Sequence, residues 1–218
     1  MQHTAGFLVN NSHLAPAGAL AAAITETASA HRNTCDLGHP ATPSAAVAIL
    51  QIHKDHLRYL VIGDVTLIIE MTDELRIITG SRVNATASVE RATVDALPSG
   101  SPEKAAALVR MKHAELASRN VPDGYWIAAA DPTATSHALT GEMPLRPIHR
   151  AAMLTDGAAR AVIPFKLYGW PDLLSVLTSV GPGALIAEVR AAEDADSDGL
   201  LQPRNKIHDD ATIAVVNV

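Results

Sequence analysis

Two acidic stretches carry most of the chemistry that this sequence offers. Thr155-Asp156-Gly157 follows the apolar run HRAAML, and His208-Asp209-Asp210 precedes IAVV, so each sets carboxylate oxygens at the end of an expected strand. Hard divalent ions such as Mg²⁺ and Mn²⁺ prefer oxygen donors, and carboxylates on neighbouring strand ends can hold two ions with water filling the remaining positions. The same residue types also make ordinary turns and strand caps, and spacing alone leaves both readings open. A third carboxylate, Asp64, lies in YLVIGDV where Gly63 and Asp64 interrupt an apolar run. His208, beside Asp209, could supply a proton or tune a metal-bound water, although a histidine before a strand is also an ordinary surface residue.

Other constellations are poorer. Asp194-Ala195-Asp196-Ser197-Asp198-Gly199 has the D-x-D-x-D-G opening of a calcium loop, but Asn205 stands where a bidentate Glu is expected. A solvated acidic loop balanced by Arg204 and Lys206 is the expectation. His31, Cys35 and His39 are spaced four apart among helix-breaking Asn33, Gly38 and Pro40, which argues against a zinc site. No G-x-S-x-G occurs, so a serine nucleophile on a strand-to-helix elbow is not indicated.

Composition narrows the classes further. With 17 Lys+Arg against 23 Asp+Glu, a net charge of −6 and only 3% aromatic residues, the chain lacks the basic stripe and stacking platforms of nucleic-acid binders. It has neither a signal-like N-terminus nor a membrane-length apolar run, and its single cysteine rules out a disulfide framework. The expectation is a cytoplasmic protein without nucleic-acid or membrane partners. Its 218 residues suit one domain with its own core.

The elements that must position these residues follow from periodicity. Residues 16–31 open with a proline suited to a first helical turn, and Leu20, Ile24 and Thr27 recur at helical spacing. Residues 44–52 and 57–62 read as strands joined by a polar HKDH hairpin, with His53 and His56 at its flanks; strands at 65–71 and 75–79 follow. Residues 80–103 are polar and end in LPSGSPE, the expected flap. Pro102 opens a helix with Ala106, Val109, Met111 and Leu116 as its apolar contacts. YWIAAA (125–130) and HRAAMLT (149–155) read as buried strands around a loop that includes Gly141. A helical region then runs to about Glu193, broken near Pro164, Pro171 and Gly181-Pro182-Gly183, before a last strand at 211–218. Strands grouped between helices, with no glycine-rich phosphate loop, predict an α+β layered fold.

Taken in chain order, PSAAVAIL (43–50), YLVIGDV (59–65), LTDGAAR (154–160) and HDDATIAVV (208–216) resemble the metal-dependent protein phosphatases of the 2C type, from about residue 16 to the C-terminus. The resemblance implies a two-sheet antiparallel β-sandwich flanked by helices. It also implies a two-ion Mn²⁺ or Mg²⁺ site with Asp156 and Asp209 as metal ligands and Asp64 as a secondary one. The implied activity is hydrolysis of serine or threonine phosphate on a phosphoprotein substrate or signalling partner, by an ion-activated water and without a covalent intermediate. The chain departs from the family's pattern in several places. Residues 2–15 contain no carboxylate, so the family's first Asp-Gly has no counterpart; Val65-Thr66 replaces the usual Ser-Arg, and Gly80-Ser81 replaces an acidic residue at the flap. The expectation is therefore either an N-terminally incomplete phosphatase domain or a catalytically inactive pseudophosphatase that serves as a binding or regulatory module.

Overall fold

The computed structural model describes residues 6, 9–11 and 13–218. The expected absence of an N-terminal acidic strand bears largely on residues 1–5, 7, 8 and 12, which lie outside the described residues. The chain runs α1 (Pro16–His31), β1 (Val47–His53), β2 (His56–Ile62), β3 (Thr66–Met71), β4 (Leu75–Thr79), α2 (Arg82–Ala85), α3 (Ser88–Asp95) and α4 (Pro102–Ala117). After a 3₁₀ turn (Pro132–His137) come β5 (Leu139–Pro144), β6 (Ile148–Leu154), α5 (Asp156–Ala159), α6 (Trp170–Ser179), α7 (Pro182–Ala195) and β7 (Ile213–Asn217).

Two antiparallel sheets form, one ordered β1-β2-β5 and the other β4-β3-β6-β7. Alternation along the central strands gives each face a separate job. Leu57 and Val61 of β2, Leu67 and Ile69 of β3, Met143 of β5 and Ala151 of β6 meet between the sheets. The intervening residues point outward: Leu60 and Ile62 pack on Leu20 and Ile24 of α1, while Ile68, Ala152 and Leu154 pack on Leu173, Leu174 and Leu177 of α6 and on Leu185 and Val189 of α7. Strands covered on both faces read as unbroken apolar runs, which is why LVI and LII stand out in the sequence. The result is four layers, helix, sheet, sheet and helix, as the α+β expectation had it.

Three local expectations are corrected. YWIAAA forms no strand; its backbone makes only isolated pairings, Ala128 with Ala45 and Tyr125 with Arg119. The strand of this region is β5, which sequence reading takes for a loop because Gly141 lies at its centre. Gly141 packs under the Tyr59 ring, and a Cβ there would fall 2.4 Å from the Tyr59 hydroxyl. On α4 the buried face is Lys104, Ala107, Met111 and Glu115, whereas Val109 is 57% exposed and Ala106 faces solvent. That helix packs on Val94 of α3 and not on the sandwich core, so its register is set by a small separate cluster. Residues 80–103 accordingly include two short helices, tied to α4 by an Arg91–Glu115 ion pair of 2.7 Å.

Candidate metal centre

Asp64, Asp156 and Asp209 come from three chain regions and converge at one end of the sandwich, each within electrostatic range of the other two. Glycines make this approach feasible. Gly63, at φ +85°, carries the chain from the first sheet to the second; a Cβ on it would fall 2.7 Å from Ala46 Cβ. Gly157 lies so close to the segment before β7 that a Cβ would meet the Asp210 carbonyl oxygen at 2.5 Å. Thr155 latches the same junction. Its hydroxyl donates to the Asp210 carbonyl at 3.0 Å and accepts from the Thr212 amide at 2.9 Å. Sequence reading names Thr155 only as the neighbour of Asp156 and misses its latch role, although a hydroxyl before an Asp-Gly turn is a common backbone latch.

The three carboxylates sit in different electrostatic settings. Burial pushes the Asp64 carboxyl above its ordinary value, and repulsion from Asp209 and Glu115 adds to it, against Lys112. Asp156 is open to solvent on one side, yet desolvation by the surrounding protein is the first cause of its raised value, followed by the charges of Asp64 and Asp209; the Gly157 amide and Arg160 oppose. Among the described residues neither of these two forms an ion pair. Asp209 differs. Burial would raise it too, but the Lys206 ammonium, the Asp210 amide and the Arg160 guanidinium outweigh burial and hold it below the usual carboxylate range.

Both oxygens of Asp209 are in use. Lys206 Nζ stands 2.6 Å from Oδ1, and Arg160 Nη2 stands 3.2 Å from Oδ2. Arg160 is fixed from behind by Glu193, itself fully buried, and Arg190 donates to both Glu193 and the Asp209 carbonyl. The signal for this network is legible in retrospect: Leu185, Val189 and Glu193 share one face at spacing four, and a carboxylate continuing an apolar stripe demands a buried cation.

The donor set fits a hard divalent ion in kind, since all three are carboxylates and two lack a cationic partner. It falls short in arrangement: among the described residues no three His, Cys, Asp or Glu side chains converge on one point that could hold an ion. Among the described residues Asp64 and Asp156 carry no ion pair, whereas Asp209 carries two.

The remaining candidates find other partners. His208 pairs through Nε2 with Asp194 Oδ1 at 2.6 Å, so its ring is engaged on α7. Asp196 accepts from the Leu201 and Gln202 amides and from Arg204 at 2.6 Å, leaving its loop closed by the chain's own cation. His39 accepts from the Ala41 amide, while Cys35 Sγ lies 3.7 Å from His31 Nδ1 and 3.8 Å from Thr34 Oγ1, and among the described residues these side chains form no group that could hold a metal. No helix of the described residues is long and apolar enough to cross a membrane.

No protein-family model matches the sequence, and no curated protein matches it. Solved structures do. The serine-threonine phosphatase 2C from Toxoplasma gondii is similar over 91% of this chain and 65% of its own, at 10% identity and a TM-score of 0.51. The serine/threonine phosphatase Stp1 from Staphylococcus aureus is similar over 92% and 65%, at 9% identity and a TM-score of 0.48. PppA, a regulatory component of the T6SS in Pseudomonas aeruginosa, is similar over 97% and 77%, at 13% identity and a TM-score of 0.46. This chain spans less than two thirds of the length of the first two. At such identity the likeness is one of architecture, and with two antiparallel sheets between flanking helices the chain has the fold of the 2C-type serine/threonine phosphatases.

Proposed function

We propose that this domain hydrolyses phosphomonoesters on serine or threonine of a phosphoprotein, with Asp64 and Asp156 holding Mn²⁺ or Mg²⁺. The observation that carries this reading is the convergence of Asp64, Asp156 and Asp209 at one end of a 2C-type sandwich, two of them without a cationic partner. When bound, the ion supplies Lewis-acid stabilisation of phosphoryl oxygens and an activated water. The chain's own residues set the geometry: Gly157 and Thr155 keep the Asp156 turn against the Asp209 segment, and Gly63 lets Asp64 reach the same end. The test is Mn²⁺-dependent phosphate release from a phosphothreonine peptide. Asp156→Asn is expected to lower the rate about a hundredfold or more, the scale of removing one stabilising group at a reacting centre. Release that is independent of Mn²⁺, or untouched by Asp156→Asn, would sink the reading.

A second reading, a pseudophosphatase with a binding or regulatory role, is favoured by one specific observation. Both oxygens of Asp209 are already bound by Lys206 and Arg160. It predicts no Mn²⁺-dependent hydrolysis at any concentration, with retained binding of a phosphorylated partner.

A further inference from the structure

A cavity of about 260 Å³ opens beside Gly63, where the first sheet hands the chain to the second. Val61 and Ile62 of β2, both buried, and Leu139 at the start of β5 give it apolar walls. Trp126 lines it too, braced by a stack on His137 with ring centroids 3.5 Å apart and planes 4° from parallel. The end of β4 completes the enclosure. Gly80 presses so closely on Gly63 that a Cβ would fall 2.0 Å from the Gly63 carbonyl oxygen, which holds Ser81 and Arg82 against the residue that precedes Asp64. Arg82 is exposed and donates to the Pro122 carbonyl at 3.4 Å, but it pairs with no carboxylate among the described residues. Asp123 shares a neighbouring hollow with Arg82 without forming an ion pair with it.

We infer that this cavity is a side-chain subsite for a phosphorylated peptide: it takes a bulky apolar residue beside a phosphothreonine, while Arg82 takes the phosphoryl oxygens. Size and charge point to this occupant. The volume lies below the roughly 300–1,000 Å³ of sites for drug-sized ligands, so it suits a single side chain. A guanidinium without a carboxylate partner, set beside an apolar cavity, is suited to the planar, bidentate recognition of phosphate. Successive residues of an extended peptide are roughly 3.3–3.6 Å apart, so adjacent residues can reach the cavity and the arginine that lines it. The apolar side chain then supplies affinity by leaving water, and Arg82 supplies the preference for the phosphorylated form. This inference rests on the proposed reading of a phosphoprotein as the partner, but it requires no metal ion and holds equally for a domain that hydrolyses and one that only binds.

The test is fluorescence anisotropy of labelled peptides titrated with the full chain in EDTA, which separates binding from metal-dependent hydrolysis. Three peptides are compared: phosphothreonine flanked on both sides by leucine, the same with alanine flanks, and the leucine peptide without phosphate. Alanine flanks are expected to weaken binding roughly tenfold, the scale of burying one aliphatic side chain. Loss of the phosphate is expected to weaken it by a similar factor, the scale of a hydrogen bond to a charged group. Arg82→Gln should lose the preference for phosphate and keep that for leucine, whereas Leu139→Glu should do the reverse. Both positions are exposed, and matching thermal unfolding curves check that the variants fold. In Trp170→Phe, where Trp126 is the remaining tryptophan, the leucine phosphopeptide should change the emission spectrum. Phosphopeptide binding that is indifferent to leucine and to Arg82→Gln would overturn the subsite and leave the phosphoprotein reading standing. Binding with both dependences, but without Mn²⁺-dependent phosphate release, would overturn hydrolysis and leave the subsite. No binding of any of the three peptides would overturn the subsite.

Discussion

At the scale of single residues, the carboxylates of the acidic end work against one another. Asp64 and Asp156 have raised values, so their contribution to stability is full below about the ordinary 3.8 and is lost as pH rises through their folded values. Asp209 has the opposite sign: its contribution is present above 3.8 and is lost as pH falls through its depressed folded value. In metal-free buffer the stability gap between wild type and an Asp64→Asn, Asp156→Asn double variant should therefore widen in the variant's favour from pH 4 to 7. Denaturant midpoints across this range measure it, and parallel pH curves for the two proteins would refute it. Asp156 and Asp209 were legible at expected strand ends, and Asp64 only through the resemblance of its Gly-Asp motif. Arg160 and the grip of Lys206 on Asp209 were not, because an ion pair between separate segments leaves no periodic trace.

At the scale of elements, the site depends on two chain segments approaching closer than a methyl group permits. Gly157→Ala would place a Cβ 2.5 Å from the Asp210 carbonyl oxygen and 3.0 and 3.2 Å from neighbouring backbone carbons. Backbone cannot rotate away as a side chain can, so α5 and the β7 lead-in must separate. The expected cost is about 1–3 kcal/mol, the usual range for overpacking, together with weaker Mn²⁺ binding. Thermal unfolding checks the first and calorimetry the second; an unshifted melting temperature would show that the junction has slack. The same physics explains which strands could be read from sequence. β2, β3 and β6 are covered on both faces and announce themselves as apolar runs. β5 lies at a sheet edge with only Met143 well buried, and its Gly141 makes room for Tyr59, so its sequence looks like a turn. YWIAAA misleads in the other direction, since Tyr125 and Ala128 are buried in loop packing with one isolated bridge each and not as rungs of a continuous ladder.

At the scale of the whole molecule, two modest sheets leave four edge strands among the described residues: β1 and β5 on one, β4 and β7 on the other. β7 is apolar and largely β-branched, with no charged residue in IAVVN to discourage pairing. Concentration-dependent association through this edge is expected, and Ala214→Lys, at an exposed position, should reduce it. Sedimentation showing a monomer at the highest soluble concentration would contradict this. The layered architecture was readable because it follows from the order of apolar segments, whereas the flap's internal packing was not, since Val94 and Met111 form a cluster too small to produce a pattern. One feature of the loop before β7 reaches beyond the site. Asp196 is satisfied by two backbone amides and by Arg204, whose guanidinium also reaches the Glu193 and Gln202 carbonyls. The counterion of this loop is part of the polypeptide, present at fixed stoichiometry, so dilution cannot remove it. The tether that delivers Asp209 should hold its shape whatever the ionic composition of the surroundings, while the acidic end it serves remains responsive to them.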